Sequence, residues 1–234
     1  MSHPEHVAGS RPPALPAAGE VHVWVADLDP GPREAARRSS AATDAERERA
    51  SRFWRRDDGD RYLSAHGALR LVLAGYLECD PLALSFGTAE HGKPFLEGSP
   101  IEFNLSHSGD VALIAVATRP VGVDVERLRP VLDLDDLAPR VCSPAEVAEL
   151  LALAEPHRAH AFLAMWTRKE ALAKAMGAGI GAILRDGSGA PREEPGAWTL
   201  MDVGDLPGYA ACVAAEGSGL QLVRQQVTAV TERR

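Results

Sequence analysis

The feature that most restricts the possible folds of this chain is a pair of strand-like segments separated by a two-residue turn. The first, VALIAVAT at 111–118, is almost wholly apolar, as is typical of a buried strand. In the second, VGVDVE at 121–126, valines alternate with polar positions, so Asp124 and Glu126 leave the same face of the strand. Such a face is most often simply solvated, but it can also bring two carboxylates to one cation. Oxygen ligands of this kind favour Mg²⁺ or Mn²⁺ over zinc.

The other segments mix helix and strand signals without regular alternation, which favours an α+β fold. TDAE and SPAE are capping boxes. The first predicts a helix that starts at Thr43 and runs to about Arg56, and the second predicts a helix start at Ser143 with a helix at 144–154. Further helices are predicted at 61–77 and 158–176. Strands are predicted at 21–28, 84–88 and 101–106 and in WTLMDV, YAACVAA and LQLVRQQV. The segments 90–100 and 185–197 are predicted loops, and residues 1–20 a mobile tail.

Composition and charge restrict the class of protein. The chain has 234 residues, 45% of them hydrophobic, which is enough for one large domain or two small ones. Its formal net charge of −8 argues against a nucleic-acid binder. The run RERASRFWRR at 47–56 is nevertheless basic, and it is either a solvated helix face or a site for phosphate or an acidic partner.

The cysteines and the apolar runs exclude further classes. The sequence contains no CxxC pair, so it suggests neither a zinc site nor a disulfide framework. There is no signal-peptide core and no apolar run near the roughly 20 residues of a membrane span. We therefore expect a cytoplasmic protein without membrane association.

The predicted helix at 158–176 places charged side chains beside its apolar face. On a helical wheel Lys169 falls inside that face, and Glu170 and Lys174 lie at i and i+4 on its margin. The pair could simply stabilise the helix, and Lys169 could extend along the apolar surface to reach water. A lysine next to a carboxylate would also suit a phosphate held beside a metal, and the helix alone does not decide between these interpretations.

Two short segments carry further polar side chains. FNLSHSGD places Ser106 and His107 after a strand. A Ser-His-Asp hydrolase is disfavoured, because there is no G-x-S-x-G elbow and adjacent Ser and His cannot readily act as nucleophile and base. A histidine that donates to a phosphate fits better. HGKP offers Lys93 on a turn, without the spacing of a P-loop.

Five motifs occur in a fixed order over residues 92–180: GKPFL, FNLSHSGD, VGVDVE, CSPAE and FLAMWTRKEALAKAMGAGI. Together they resemble the 4′-phosphopantetheinyl transferases, in particular the long class typified by the activator of surfactin synthetase. The specific part is G-[IV]-D-[IV]-E combined with F-x-x-x-W-[ST]-x-K-E-[AS]-x-x-K. Residues 47–70 look like the N-terminal helix pair of the family, although Glu46 stands where the family has a basic residue. After residue 180 only the strand pattern is similar.

The resemblance implies a fold and a reaction. The fold is a pseudo-twofold pair of similar α+β halves, at 21–118 and 119–234, with the active site in the cleft between them and the metal ligands in the second half. The reaction transfers 4′-phosphopantetheine from coenzyme A to a serine hydroxyl of an apo acyl or peptidyl carrier protein, requires Mg²⁺ and releases adenosine 3′,5′-bisphosphate. The carrier could serve fatty acid, polyketide or nonribosomal peptide synthesis. A chain with both halves makes its own cleft, so a monomer is expected.

The resemblance also implies roles for individual residues. Asp124, Glu126 and Glu170 match the metal ligands, with Mn²⁺ as an alternative to Mg²⁺. Glu170, or in its place Glu126, would be the general base, and Lys174 would serve the leaving-group side. Contacts with coenzyme A are implied for Lys93, Pro94, Ser106, His107, Lys169 and Lys174, and Arg49, Arg55 and Arg61 would supply the basic contacts of the first half.

Two other functions compete with the transferase. A different Mg²⁺-dependent phosphohydrolase or phosphotransferase could use the same carboxylates on coenzyme A or nucleotides, and it would need no carrier. A non-catalytic module that binds coenzyme A or a carrier is disfavoured, because it requires a broken carboxylate set and all three carboxylates are present.

Overall fold

The computed structural model describes residues 13–179 and 198–227. Its helices are α1 Pro32–Ala41, α2 Asp44–Ser51, α3 Arg56–Leu77, α4 Leu134–Val141, α5 Pro144–Leu151 and α6 His157–Met176, and Pro81–Ala83 forms a 3₁₀ turn. Its strands are β1 Glu20–Asp27, β2 Phe86–Thr88, β3 Pro94–Leu96, β4 Glu102–Ser108, β5 Val111–Ala117, β6 Val121–Arg127, β7 Trp198–Asp202, β8 Tyr209–Glu216 and β9 Gln221–Gln226. The α+β class predicted from the sequence is confirmed.

The first half is built on a four-stranded sheet with the order β4-β5-β1-β9. Strand β5 lies antiparallel between β4 and β1 and is buried on both faces, as its apolar sequence predicts. The outer face of the sheet packs against α3, where Leu73 joins Phe103 and Ile114 in one buried cluster. The last strand, β9, runs parallel to β1, so the C-terminal end of the described chain completes the sheet of the first half.

The second half is built on a three-stranded sheet with the order β6-β8-β7, so the consecutive strands β5 and β6 belong to different sheets. Val121, Val123 and Val125 of β6 face the first sheet and share a buried cluster with Val23 and Leu113. The opposite face of β6 and β8 carries α6. The two sheets thus pack face to face, with α3 and α6 on the outside, and form two similar α+β halves.

The helix starts agree with the sequence. Thr43 Oγ1 accepts the Glu46 N–H at 3.3 Å, and Glu46 Oε2 accepts the Thr43 N–H at 2.7 Å. Ser143 and Glu146 repeat both contacts at the same two distances. Both predicted capping boxes are therefore confirmed.

Some boundaries differ from the prediction. Helix α2 ends at Ser51 rather than near Arg56, because the chain turns there to lay α2 against α3. The contact is so close that a Cβ on Gly59 would lie 2.5 Å from the Ala50 carbonyl oxygen. Helix α3 in turn begins at Arg56 rather than Arg61.

Three elements were not predicted from the sequence: helices α1 and α4 and strand β3. Helix α1 buries an ion pair, Glu34 with Arg38 at 2.9 Å, instead of an apolar stripe, so hydrophobic periodicity does not reveal it. Strand β3 has only three residues and lies inside the predicted loop at 90–100. Residues 1–12 of the predicted tail and the predicted loop at 185–197 lie outside the described residues.

Within residues 13–179 and 198–227, no helix is both long enough and apolar enough to cross a membrane.

Glu46 holds three elements of the first half together. Its carboxylate caps α2 and pairs with Arg70 of α3 at 2.9 Å, and Arg70 in turn donates to the carbonyl oxygens of Pro81 and Leu84. Burial alone would raise the pKa of Glu46, but His66, Thr43 and Arg70 lower it from 4.5 to about 2. Glu46 is therefore a structural residue in this chain.

Glu46→Gln should destabilise the protein in a pH-dependent way. A carboxyl pKa lowered on folding stabilises the native state above its unfolded pKa, and this contribution disappears as the pH falls through the folded pKa. We expect a loss of about 3 kcal/mol at pH 7, from roughly 1.4 kcal/mol per pKa unit, and a smaller loss at pH 3.

Urea unfolding of both proteins between pH 7 and pH 3 measures this. Glu48→Gln is the matched control, because the exposed Glu48 pairs with the equally exposed Arg52 and its loss should change stability by less than about 1 kcal/mol. Parallel stability profiles for wild type and Glu46→Gln would contradict the assignment.

Candidate active site

The two carboxylates of β6 lie where the two halves of the protein meet. Asp124 is buried, with 4% of its surface exposed, and Glu126 is half-buried at the end of the strand. Within the described residues, strand β6 pairs with a strand, β8, on one edge only, and its other edge faces β4 of the first half.

Side chains of β4 complete that open edge of β6. Asn104, Ser106 and Ser108 project from alternate positions of β4. Their oxygens accept the backbone N–H groups of Val123, Val125 and Arg127 at 2.9, 3.3 and 3.1 Å, respectively. These three contacts satisfy donors that no neighbouring strand pairs, and so they fix the register between the halves.

The two serines also contact the two carboxylates. Ser106 Oγ donates to Asp124 Oδ1 at 2.9 Å, and Ser108 Oγ donates to Glu126 Oε2 at 3.0 Å. Each hydroxyl therefore accepts a hydrogen bond from one backbone N–H and donates a hydrogen bond to one carboxylate. It acts both as an acceptor and as a donor.

Lys174 of α6 reaches the same place from the second half. Its Nζ lies 2.6 Å from Asp124 Oδ1 and donates also to Ser106 Oγ and the Val123 carbonyl oxygen, both at 3.3 Å. The other oxygen of Asp124, Oδ2, is buried and has no hydrogen-bond partner among the residues that the structure describes. A buried carboxylate oxygen of this kind is costly unless something binds it.

Glu170 lies one turn before Lys174 on α6, and both carboxylates of β6 influence its pKa. Burial raises the pKa of Glu170, the negative charges of Asp124 and Glu126 raise it further, and Lys174 lowers it. The three predicted metal ligands are therefore close enough to interact electrostatically.

The three predicted ligands supply carboxylate oxygens, which hard cations prefer. Within the described ranges, no three His, Cys, Asp or Glu side chains are grouped closely enough to enclose a metal ion as they stand. The chemistry nevertheless fits Mg²⁺, because all three candidates supply oxygen and Asp124 Oδ2 is buried without a partner.

Gly122 allows α6 to approach β6 closely enough for these contacts. A Cβ at this position would lie 2.1 Å from the Ala171 carbonyl oxygen and 2.3 Å from the Ala175 nitrogen. Both atoms belong to the backbone of α6, so they cannot move aside by a change of side-chain rotamer. The glycine of the G-x-D-x-E motif is therefore a packing requirement of the site.

Lys93 binds the junction of the two halves from another direction. Its Nζ donates to the carbonyl oxygens of Val121 and Ala175 at 3.1 and 3.2 Å and lies 3.7 Å from Glu102. Burial lowers the pKa of Lys93, and Glu102 partly offsets this effect. A cavity of about 370 Å³ opens beside Lys93, with Phe95 of β3 in its lining, and the exposed Pro94 begins β3.

His107 lies between Ser106 and Ser108 on β4, and its side chain reaches solvent. The surrounding protein partly desolvates the ring and lowers the pKa of His107, and His66 and Lys174 lower it further through their positive charge. The imidazole thus faces a region with cationic neighbours, which suits an anionic ligand.

Three of the other four predicted coenzyme contacts, Lys169, Arg61 and Arg49, contact side chains of the protein itself. Lys169 is buried and pairs with Glu146 at 3.1 Å, so it supports the start of α5. Arg61 donates to Asp110 at 2.8 Å, and the guanidinium of Arg49 lies 5.3 Å from the ring centre of Tyr62. Arg55 is exposed at the start of α3.

Ser108 and Asn104 are residues of this site that the sequence did not single out. The available signal was the alternation N-x-S-x-S in NLSHS, which places Asn104, Ser106 and Ser108 on one face of a strand. Only the packing of β4 against β6 reveals what that face contacts.

Gly122→Ala should disrupt the site while keeping the overall fold. The added methyl group must push α6 away from β6, which separates Lys174 and Glu170 from Asp124, and overpacking of this kind costs about 1–3 kcal/mol. Thermal unfolding gives the stability, and a crystal structure of the variant gives the Lys174–Asp124 distance.

Gly204→Ala is the matched control, because nothing lies within 4 Å of a Cβ at Gly204. Its stability should stay within about 0.5 kcal/mol of wild type. If both variants behaved alike, the close approach of α6 to Gly122 would not matter to the site.

Known families cover most of the chain. Residues 27–119 match the family 4′-phosphopantetheinyl transferase, N-terminal, and residues 120–193 match the 4′-phosphopantetheinyl transferase superfamily. The two matches meet at the connection between β5 and β6, where the chain passes from the first sheet to the second.

Several proteins named 4′-phosphopantetheinyl transferase are similar in sequence to this chain. The 4′-phosphopantetheinyl transferase HetI of Nostoc sp. (strain PCC 7120) is 34% identical over 229 residues, which span 93% of this chain and 97% of HetI. A 4′-phosphopantetheinyl transferase of Bacillus subtilis is 36% identical over 61% of this chain and 64% of its own length. Sfp of Bacillus subtilis (strain 168) is 32% identical over 57% of this chain and 59% of its own length.

Proposed function

This chain belongs to the 4′-phosphopantetheinyl transferase superfamily, and on that premise we propose that it transfers 4′-phosphopantetheine from coenzyme A to a serine hydroxyl of an apo carrier protein. It is a transferase enzyme. The observation that carries the proposal is the Asp124 carboxylate: Ser106 and Lys174 hold its Oδ1, while its Oδ2 is buried without a hydrogen-bond partner among the described residues.

The reaction explains why the site needs these residue types. The serine oxygen attacks the β-phosphorus of the coenzyme pyrophosphate, the bond to the bridging oxygen breaks, and adenosine 3′,5′-bisphosphate leaves. The serine proton must pass to a base, and the negative charge of the pyrophosphate must be neutralised. Catalysis of such transfers depends mainly on positioning and electrostatics.

We propose Mg²⁺ as the cofactor, held by Asp124, Glu126 and Glu170, with Mn²⁺ as an alternative. The buried, unpartnered Oδ2 of Asp124 supports this assignment. When bound, the cation would supply positive charge to the pyrophosphate oxygens. Glu170 is the proposed base for the serine proton, and Glu126 is the competing candidate.

Lys174 is proposed to neutralise charge on the leaving-group side. In the structure its Nζ is anchored by Asp124, Ser106 and the Val123 carbonyl oxygen, so the ammonium group is held at the carboxylate site before any substrate binds. A cation held in place in advance needs little reorganisation when negative charge develops.

Coenzyme A is proposed to bind along the junction of the two halves. Lys93, Pro94 and the cavity beside them would receive the adenine end, and His107 would contact a phosphate. Ser106 is engaged with Asp124, so its contribution to coenzyme binding would accompany that contact. The coenzyme contacts of Arg49, Arg55, Arg61 and Lys169 stay predictions.

The second substrate is proposed to be an acyl or peptidyl carrier protein, and the enzyme to act as a monomer. Carrier proteins present an acidic surface near the modified serine, which the basic run at 47–56 would suit. The carrier could belong to fatty acid, polyketide or nonribosomal peptide synthesis. The cytoplasmic location stays a prediction.

Incubation with an apo carrier, coenzyme A and Mg²⁺ should add the mass of phosphopantetheine to the carrier. Asp124→Ala and Glu170→Ala should lower the rate by about a hundredfold or more, because charge stabilisation in the transition state is lost. Intact-protein mass spectrometry follows the product.

Glu149→Ala is the matched control, because Glu149 is exposed on α5 and its removal should leave the rate unchanged. An active Asp124→Ala protein would overturn the metal assignment. Release of adenosine 3′,5′-bisphosphate from coenzyme A without any carrier would instead favour the competing phosphohydrolase.

A further inference from the structure

We propose that Ser108 is a positioning residue for the Glu126 carboxylate and thereby a determinant of divalent-cation affinity. This inference deepens the proposed function and rests on it, because it takes Glu126 as a working carboxylate of that site.

The geometry around Ser108 repeats the geometry around Ser106. Ser106 Oγ accepts the Val125 N–H at 3.3 Å and donates to Asp124 at 2.9 Å. Two residues further along both strands, Ser108 Oγ accepts the Arg127 N–H at 3.1 Å and donates to Glu126 at 3.0 Å. The two carboxylates of β6 are therefore held by the same device, a serine of β4 that bridges a carboxylate and the following backbone N–H.

The hydroxyl proton of Ser108 has a defined direction. A hydroxyl has one donor and two acceptor sites, and the Arg127 N–H occupies one acceptor site. Because that contact comes from a strand backbone, it fixes the oxygen and leaves the proton free to point at the Glu126 carboxylate.

Glu126 depends on Ser108 more than Asp124 depends on Ser106. Asp124 has a second anchor in Lys174 at 2.6 Å. Within the described part of the chain, Ser108 is the one side chain that hydrogen-bonds Glu126. Glu126 is also half-buried at the strand end, and a glutamate has one more rotatable bond than an aspartate. Without Ser108 its carboxylate would sample several rotamers.

The chain on the far side of Ser108 is also held firmly. Gly109 has a positive φ of 56°, and a Cβ there would lie 3.0 Å from both Arg127 Cδ and Tyr209 Oη. The next residue, Asp110, donates its N–H to Tyr209 Oη at 3.2 Å. Ser108 therefore projects from a backbone that is fixed on both sides, as a positioning residue requires.

Groups that orient metal ligands typically change metal affinity by 10–100-fold when they are removed. We expect Ser108→Ala to weaken binding of Mn²⁺ about tenfold, since it leaves all three carboxylates in place but frees one of them. The measurement is an EPR titration of free Mn²⁺ with the full-length protein and coenzyme A, without a carrier, so that no turnover occurs. Coenzyme A alone with Mn²⁺ gives the background.

Ser99→Ala is the matched control for a purely structural effect. Ser99 Oγ also accepts a backbone N–H, that of Ile101 at 3.1 Å, just before β4, but it touches no carboxylate in the described structure. Both alanine variants should lower the thermal midpoint slightly, whereas only Ser108→Ala should weaken Mn²⁺ binding. Ser108→Thr keeps the hydroxyl and should restore the Mn²⁺ affinity to within about threefold of wild type.

Ser108→Cys covers the case in which Ser108→Ala does not fold, because the thiol keeps the volume and is a much weaker donor. It should bind Mn²⁺ more weakly than the wild type and the threonine variant, but the loss relative to wild type should be less than about tenfold. Wild-type Mn²⁺ affinity in the folded Ser108→Ala or Ser108→Cys protein would overturn the inference. An equal loss in Ser108→Ala and Ser99→Ala, or no rescue by threonine, would also overturn it.

The role of Ser108 and the proposed function can be wrong independently of each other. If the wild type modifies the carrier and Ser108→Ala binds Mn²⁺ normally, only the role of Ser108 is wrong. If the wild type does not modify any apo carrier, the proposed function is wrong whatever the Mn²⁺ titrations give.

Discussion

The open edge of β6 determines how the two halves of the protein are joined. In the described part of the chain this strand pairs with β8 on one side only, yet its other edge is enclosed by β4 of the first half. Unpaired backbone groups there would each cost on the order of 1–3 kcal/mol. Three side chains of β4 accept the N–H groups, while Lys93 and Lys174 donate to carbonyl oxygens on the same edge. Side chains, rather than strand pairing, therefore join the two halves at this edge.

The contacts that satisfy this edge also build the site. The serine hydroxyls that accept N–H groups of β6 donate to Asp124 and Glu126, and Lys174 bonds both the strand backbone and Asp124. Gly122 lets α6 approach closely enough for Lys174 to do so. A change that loosens the junction would thus move the carboxylates as well, which links the packing of the halves to the proposed chemistry.

The sequence predicted the parts of this arrangement that depend on neighbouring residues. The alternation in VGVDVE predicted that both carboxylates would leave one face of the strand, and the valines of the other face pack in a buried cluster. The two capping boxes began helices as expected. The contacts of Ser108 and the pairing of β9 with β1 were not predictable, because they join segments far apart in the chain. Helix α1 was missed because its buried Glu34–Arg38 pair replaces the apolar stripe that reveals a helix.

We propose that the carboxylates held at the open edge of β6 form a divalent-cation site. Anomalous diffraction from crystals grown with Mn²⁺ and coenzyme A would locate the cation. We expect a peak at coordination distance from Asp124 Oδ2 and from a Glu126 oxygen, roughly 2.0–2.3 Å, since hard cations bind carboxylate oxygens closely. A crystal that contains coenzyme A but has its Mn²⁺ peak elsewhere, with Asp124 Oδ2 still without a partner, would contradict it.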